Sequence, residues 1–155
     1  MVSPELLRRS PFFAFTDENQ KKAVAMISEE AACDGGTVFF EEGQVADALY
    51  LLLEGSVDLF FRPHVENGDQ LRPDILVGEI NPGEPFGLSA MIEPHILTAT
   101  ATASGPCRVL KMEGAALRAL SEVDCRLGYL LMRQIAKAVG ERLHAARLQL
   151  AATRV

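Results

Sequence analysis

The sequence predicts a mainly-β chain: an antiparallel roll or sandwich with a helical segment before it and two helices after it. Three observations carry this. Short β-rich runs alternate with glycine between residues 35 and 111, as in Val38–Phe40, Gly43, Leu49–Leu53, Gly55 and Val57–Phe61. Regular short strands separated by turn residues indicate an antiparallel sandwich or barrel. Helical periodicity appears on both sides of that region. With 155 residues, 48% hydrophobic and 23% charged, the composition is that of a globular chain and not a disordered one. A domain of this length buries roughly 70% of its unfolded surface and needs no metal or disulfide staple.

The elements follow in chain order. Phe12, Phe13 and Phe15 form an apolar anchor. Residues 17–32 then read as an amphipathic helix, with Thr16 as N-cap, Asp17 and Glu18 in the first turn, and Ala23, Val24, Ile27 and Ala31 at helical spacing. The strand region continues through Ile75–Ile80, Pro82-Gly83, Gly87, Thr98–Ala103 and Arg108–Lys111. Asn67-Gly68 is a hairpin signal, flanked by Pro63 and Pro73, which loosen the hairpin tip. Glu113–Leu120 reads as a short helix. Asp124 opens a long one reaching about Leu150, a rod of roughly 40 Å at 1.5 Å per residue. Its apolar stripe is Leu127, Leu131, Ile135, Ala138, Val139, Leu143, Ala146 and Leu150. We therefore expect one domain over 1–155, divided into a helical segment (1–32), a β-roll (33–111) and C-terminal helices (112–155).

Charge is unevenly distributed. Residues 33–110 hold three arginines against twelve acidic side chains, a net −9 that disfavours nucleic acid and other polyanions. Residues 111–155 carry eight basic and four acidic side chains, a net +4. No apolar run approaches the ~20 residues of a membrane span, and no apolar stretch follows Arg8-Arg9 as a signal peptide requires. Cys33, Cys107 and Cys125 are too widely spaced for a zinc ribbon or a secreted disulfide framework. The expected location is the cytoplasm.

The catalytic inventory is thin. His64, His95 and His144 lie at no metal-ligand spacing. Ser89 and Ser104 lack a nucleophile elbow, and the adjacent pairs Glu29-Glu30 and Glu41-Glu42 point to opposite faces of a strand. We expect no enzyme and no metal site. The most informative stretch is 83–101. There a Pro-Gly turn leads through Phe86-Gly87 into a short helical turn over Leu88-Ser89-Ala90, then through Leu97 into the Thr98-Ala99-Thr100 run. Backbone N–H groups after Gly87 would form a small anion nest.

Taken as an ordered set, these features resemble the cyclic nucleotide-binding domain family, which includes catabolite activator protein and the regulatory subunits of cAMP-dependent kinase. The likeness covers about residues 6–151. It rests on Leu6 and Pro11-Phe12-Phe13, the glycines at 36, 43, 55, 83 and 87, Tyr50-Leu-Leu-Leu-Glu-Gly55, the stretch 86–101 and Arg142-Leu143. The resemblance implies a double-stranded β-helix, or jelly roll, and a phosphate-binding cassette over 83–101. The ligand-binding candidates it implies are Phe86, Gly87, Leu88, Ser89, Ala90, Leu97, Thr98, Ala99 and Thr100.

The cassette departs from the family at two positions. The family follows Phe-Gly with a glutamate that holds the ribose hydroxyl; here Leu88 stands there. It places an arginine for the cyclic phosphate before the small-Ala-Thr run; here that residue is Leu97. Three readings stay open: leucines filling a vacated pocket, an apolar pocket for an uncharged or lipid-like ligand, and a cyclic nucleotide (cAMP or cGMP) receptor with atypical contacts. The expected activity is that of a regulatory module that binds cyclic nucleotide weakly or not at all. The long helix is the family's usual dimer element, so we expect a homodimer through Leu127, Leu131, Ile135, Val139, Leu143, Ala146 and Leu150, with a partner protein as a further interactor. We expect no DNA-binding helix-turn-helix, the element of the family's transcription factors, within these 155 residues.

Overall fold

In the computed structural model the described residues are 1–63 and 74–154. The expected Asn67-Gly68 hairpin lies outside them. The chain opens with α1 (Pro4–Arg8), a 3-10 turn at Pro11–Phe13 and α2 (Glu18–Met26). Eight strands follow: β1 (Ser28–Cys33), β2 (Val38–Phe40), β3 (Ala48–Glu54), β4 (Val57–Phe61), β5 (Ile75–Ile80), β6 (Pro85–Phe86), β7 (Thr100–Ala103) and β8 (Cys107–Glu113). The helices α3 (Gly114–Val123) and α4 (Cys125–Ala152) close the described chain.

The strands form two antiparallel four-stranded sheets in the orders β1-β8-β3-β6 and β2-β7-β4-β5. This is the antiparallel sandwich that the turn spacing predicts, in the jelly-roll-like form that the family resemblance implies. Strand β3 is the axis of the first sheet. Ala48 through Leu52 are all buried, as the continuous Leu-Tyr-Leu-Leu-Leu run requires of a strand covered on both faces. It pairs with β8 through Leu49↔Met112 and Leu51↔Leu110, and with β6 through Tyr50↔Phe86.

The helix expected over 17–32 is half that length. It stops at Met26, and residues 28–33 form β1 instead. The Ser28 hydroxyl turns back to donate to the Val24 carbonyl at 2.6 Å. The chain then enters a six-pair ladder with β8, from Ser28↔Met112 to Cys33↔Cys107. A pairing partner eighty residues away overrides the local helical spacing. The N-cap is Asp17, one residue later than expected. It accepts from the Gln20 backbone at 2.7 Å while the Gln20 side chain accepts from the Asp17 backbone, a reciprocal capping box. The Thr16 hydroxyl donates to the Phe13 carbonyl instead. Gln20 also donates to Asp124, which caps α4, so one buried amide ties the start of α2 to the start of α4.

The Thr98–Ala103 run becomes strand only from Thr100; Thr98 and Ala99 remain outside it. Helix α4 matches the expectation from Asp124 onward, but its stripe divides. Leu127, Leu131, Ile135 and Ala138 are buried against the rest of the chain. Val139, Leu143 and Leu150 are exposed, the first two by 42% and 48%. Among the described residues no helix is long and apolar enough to cross a membrane.

The β3–β4 corner turns at Gly55, whose φ is +97°. A Cβ placed there would lie 2.5 Å from the Pro106 carbonyl oxygen and 2.9 Å from Cys107 Sγ. Gly43 shares a positive φ of +91°, but a Cβ there meets nothing within 4 Å. Backbone strain alone costs about 1–3 kcal/mol, and overpacking against a fixed carbonyl adds about 1–3 kcal/mol. Gly55→Ala should therefore lower the chemical-denaturation stability by at least about 1 kcal/mol more than Gly43→Ala. Equal losses in the two variants would refute the steric account.

Candidate functional site

The site is the cassette between β6 and β7, and its position follows from one close approach. Gly87 adopts the left-handed conformation with φ +71°. A Cβ on it would sit 3.0 Å from the Ala48 carbonyl oxygen, 3.2 Å from Tyr50 Cδ2 and 3.3 Å from Phe40 Cε2. Beneath it lies an aromatic cluster. Tyr50 stacks on Phe86 at 5.0 Å between centroids, and Phe39 and Phe40 contact both rings. Burial pushes the Tyr50 phenol pKa up, and Asp47 pushes it further.

After Gly87 the chain makes a 3-10 turn over Leu88–Met91. His95, at φ +60°, holds the return leg. Its Nδ1 lies 3.0 Å from the Ser89 carbonyl oxygen, its backbone N–H donates to Ile92, and its carbonyl accepts from Ala46. His95 is thus a loop-fixing residue. Leu97 exchanges backbone hydrogen bonds with the Gly43–Gln44 turn, donating to Gln44 and accepting from Gly43, each at 2.8 Å.

The C-terminal helices grip the cassette by its carbonyls. Arg142 of α4 donates through Nη2 to the Pro85 carbonyl near its start. Arg118 of α3 donates through Nη1 to the Ala90 carbonyl inside it at 2.6 Å. Burial pushes the Arg142 guanidinium below its usual range, while Glu84 and Glu141 act in the opposite direction.

The cassette, together with β2, β4 and α4, borders a half-open cavity of about 340 Å³. Six of the expected residues line it: Gly87, Leu88, Ser89, Leu97, Thr98 and Ala99. Leu88 and Leu97 are only 8% and 5% exposed, yet they wall the cavity and do not fill it. Three expected residues are placed elsewhere. Phe86 lies in the aromatic cluster, and Ala90 is fully buried with its carbonyl on Arg118. Thr100 accepts from the Glu42 backbone through its hydroxyl at 3.0 Å.

Phe40, Leu59, Ile92, Val139 and Arg142 complete the wall. Sequence reasoning did not assign these five to the site. In the sequence Val139 belongs to the apolar stripe of α4, and Arg142 to the Arg142-Leu143 pair of the family likeness. The available signal was the i,i+3 spacing of Val139 and Arg142, which places a cation on an apolar helical face. Among the described residues no cluster of three His, Cys, Asp or Glu side chains could hold a metal ion.

Comparison with known proteins identifies relatives of this fold. A protein of Geobacter metallireducens GS-15, named for cyclic-nucleotide binding and known from a crystal structure, is 42% identical to this chain. The match covers 93% of this chain and 100% of that one, with a TM-score of 0.79. The N-terminal domain of a transcriptional regulator from Streptomyces coelicolor A3(2) is 26% identical over 88% of this chain and 93% of that one, with a TM-score of 0.66. A curated protein of Rhodopseudomonas palustris (strain ATCC BAA-98 / CGA009), named as a potassium channel protein, is 27% identical over 120 residues. That match takes in 77% of this chain, which spans only 27% of the relative's length. The family model for the cyclic nucleotide-binding domain matches residues 32–124, from within β1 to the N-cap of α4 and across the whole cassette; the chain belongs to the cyclic nucleotide-binding domain family.

Proposed function

We propose that this chain is a non-enzymatic regulatory module that binds cAMP and cGMP weakly or not at all, and that it works as a cytoplasmic dimer responding to another small ligand or to a partner protein. The observation that carries this reading is the wall of the cassette cavity. Leu88 and Leu97 stand in it at the positions where the resemblance implies the ribose glutamate and the phosphate arginine. A charge-assisted hydrogen bond contributes about 1.5–3 kcal/mol. A ribose hydroxyl left against leucine costs about 1–3 kcal/mol. Together these amount to roughly two or more orders of magnitude in affinity. The net −9 of residues 33–110 adds a further penalty for any phosphodiester.

One observation favours the second reading, a cyclic nucleotide receptor with atypical contacts: Arg142 brings a cation to the same cavity from α4. One arginine supplies one anchor and leaves the ribose unserved, so we place this reading second.

The dimer reading narrows to the far half of α4. Leu127, Leu131 and Ile135 are committed to the protomer's own core. Val139, Leu143, Ala146 and Leu150 remain for a self-complementary contact. The +4 charge of residues 111–155 suits an acidic partner protein on the remaining surface.

Two measurements test these readings. Calorimetry of the chain with cAMP and with cGMP should give dissociation constants no tighter than about 100 µM, and a sub-micromolar value for either would sink the first reading. Because the cavity is open, Leu88→Glu combined with Leu97→Arg should tighten cAMP binding by roughly tenfold or more; no gain would refute the assignment of these two positions. For the dimer, sedimentation should show a two-protomer species that Leu143→Asp converts to monomer. A wild-type monomer at high micromolar concentration would overturn it.

A further inference from the structure

The cassette cavity is unusual in the balance of its lining. Its apolar wall is made by Phe40, Leu59, Leu88, Leu97 and Val139, and among the described residues Arg142 is the one charged residue that lines it and no acidic side chain does. Arg142 is half-buried, and its guanidinium spends one nitrogen on the Pro85 carbonyl. Among the described residues no carboxylate lies within ion-pair distance of it. Glu84 and Glu141 act on it only from farther away. Among those residues, too, no buried side-chain nitrogen or oxygen lacks a hydrogen-bond partner. The Arg142 nitrogens that make no bond therefore open onto accessible space, and the cavities the residue lines are that space.

Two of those cavities differ in charge. The groove of about 560 Å³ between β5 and α4 also reaches Arg142, but Glu79, Glu84 and Glu141 line it and repel anions. On the cassette side Arg142 lines a cavity whose other walls, among the described residues, are mostly apolar and hold no acid. A partly desolvated cation with free donors is costly until an anion meets it, and arginine's planar fork matches a carboxylate with two parallel hydrogen bonds. The rest of such a ligand is apolar, since among the described residues Ser89 and Thr98 supply the only polar side chains besides Arg142 in the lining. A volume of about 340 Å³ lies at the small end of the ligand-site range of roughly 300–1,000 Å³. The acidic surroundings favour one negative charge over two.

We infer that the cassette cavity receives a small monocarboxylate with an apolar body, its carboxylate held by Arg142 of α4 and its body packed against Leu88 and Leu97. The inference rests on the reading that this cassette no longer serves cyclic nucleotides, and it names the ligand chemistry that replaces them. It also moves the anion contact from the cassette, where the family resemblance implies it, to the helix. Occupancy would then be felt directly by α4, because the guanidinium that takes the carboxylate also holds the Pro85 carbonyl.

The test is calorimetry of the full chain with octanoate and, as its uncharged counterpart, octanol. Octanoate should bind at least tenfold more tightly than octanol. Arg142→Met should weaken octanoate by roughly 10–100-fold while leaving octanol within about threefold. Ala99→Trp, which puts a large side chain on the cavity lining, should abolish binding of both. The comparison of octanoate with octanol on the unaltered chain decides the matter even if Arg142→Met does not fold. Equal affinity for the two probes, no binding of either at millimolar concentration, or an Arg142→Met variant that keeps wild-type octanoate affinity would overturn the inference. Sub-micromolar cAMP binding would instead overturn the reading beneath it. Weak cAMP binding with no preference for octanoate would leave that reading standing and remove this inference alone.

Discussion

The site depends on the passage of the Gly87 backbone over strand β3. Any side chain at this point would press on the Ala48 carbonyl and on the rings of Tyr50 and Phe40, and the positive φ would strain it as well. Only at glycine can the chain come this close and turn left-handed in the same step. The 3-10 turn that follows is thereby seated on the aromatic cluster of Phe39, Phe40, Tyr50 and Phe86. The cluster, in turn, is fixed by the Tyr50↔Phe86 pairing of β3 with β6. The cassette therefore continues directly from the first sheet, packed on it through a close backbone approach.

Its other supports come from the helices. Arg118 and Arg142 donate to carbonyls on either side of Gly87, at Ala90 and at Pro85. Hydrogen bonds from charged groups are stronger than neutral ones, and these two span separate elements. Any change in the angle of α3 or α4 must strain or break them. A ligand that met Arg142 would enter this mechanical linkage, shifting the helices only by its differential affinity for their arrangements. The close crossing of α3 and α4 limits those arrangements, because a Cβ on Gly128 would lie 2.8 Å from the Ser121 carbonyl oxygen.

Helix α4 serves two purposes along one continuous stripe. Its first half completes the core through Leu127, Leu131 and Ile135. Its second half runs beside β5, the edge strand of the second sheet, and leaves Val139 and Leu143 partly uncovered. Val139 also lines the cassette cavity, so the site and the uncovered face share a residue. This geometry makes ligand occupancy and association through α4 neighbours in space.

Much of the fold was legible in the sequence because its signals are local. The glycine-punctuated β runs, the Asp124 cap and the 3.6-residue stripe of α4 depend on residues within a few positions of each other, and the two-sheet roll follows from them. The family's ordered motifs likewise pointed to the stretch 83–101, and six of its nine expected residues do line one cavity. What stayed hidden was set by partners distant in sequence. Residues 28–33 fit a helical pattern, but their pairing with β8 makes them a strand. The stripe of α4 could not show which half would be buried, since that depends on where the core ends. The sequence left open whether the two leucines close the pocket or wall it; in the fold they line a cavity together with Phe40, Leu59 and Val139. Arg142 is part of the site only because the roll brings α4 across the cassette entrance, a contact between residues 57 positions apart.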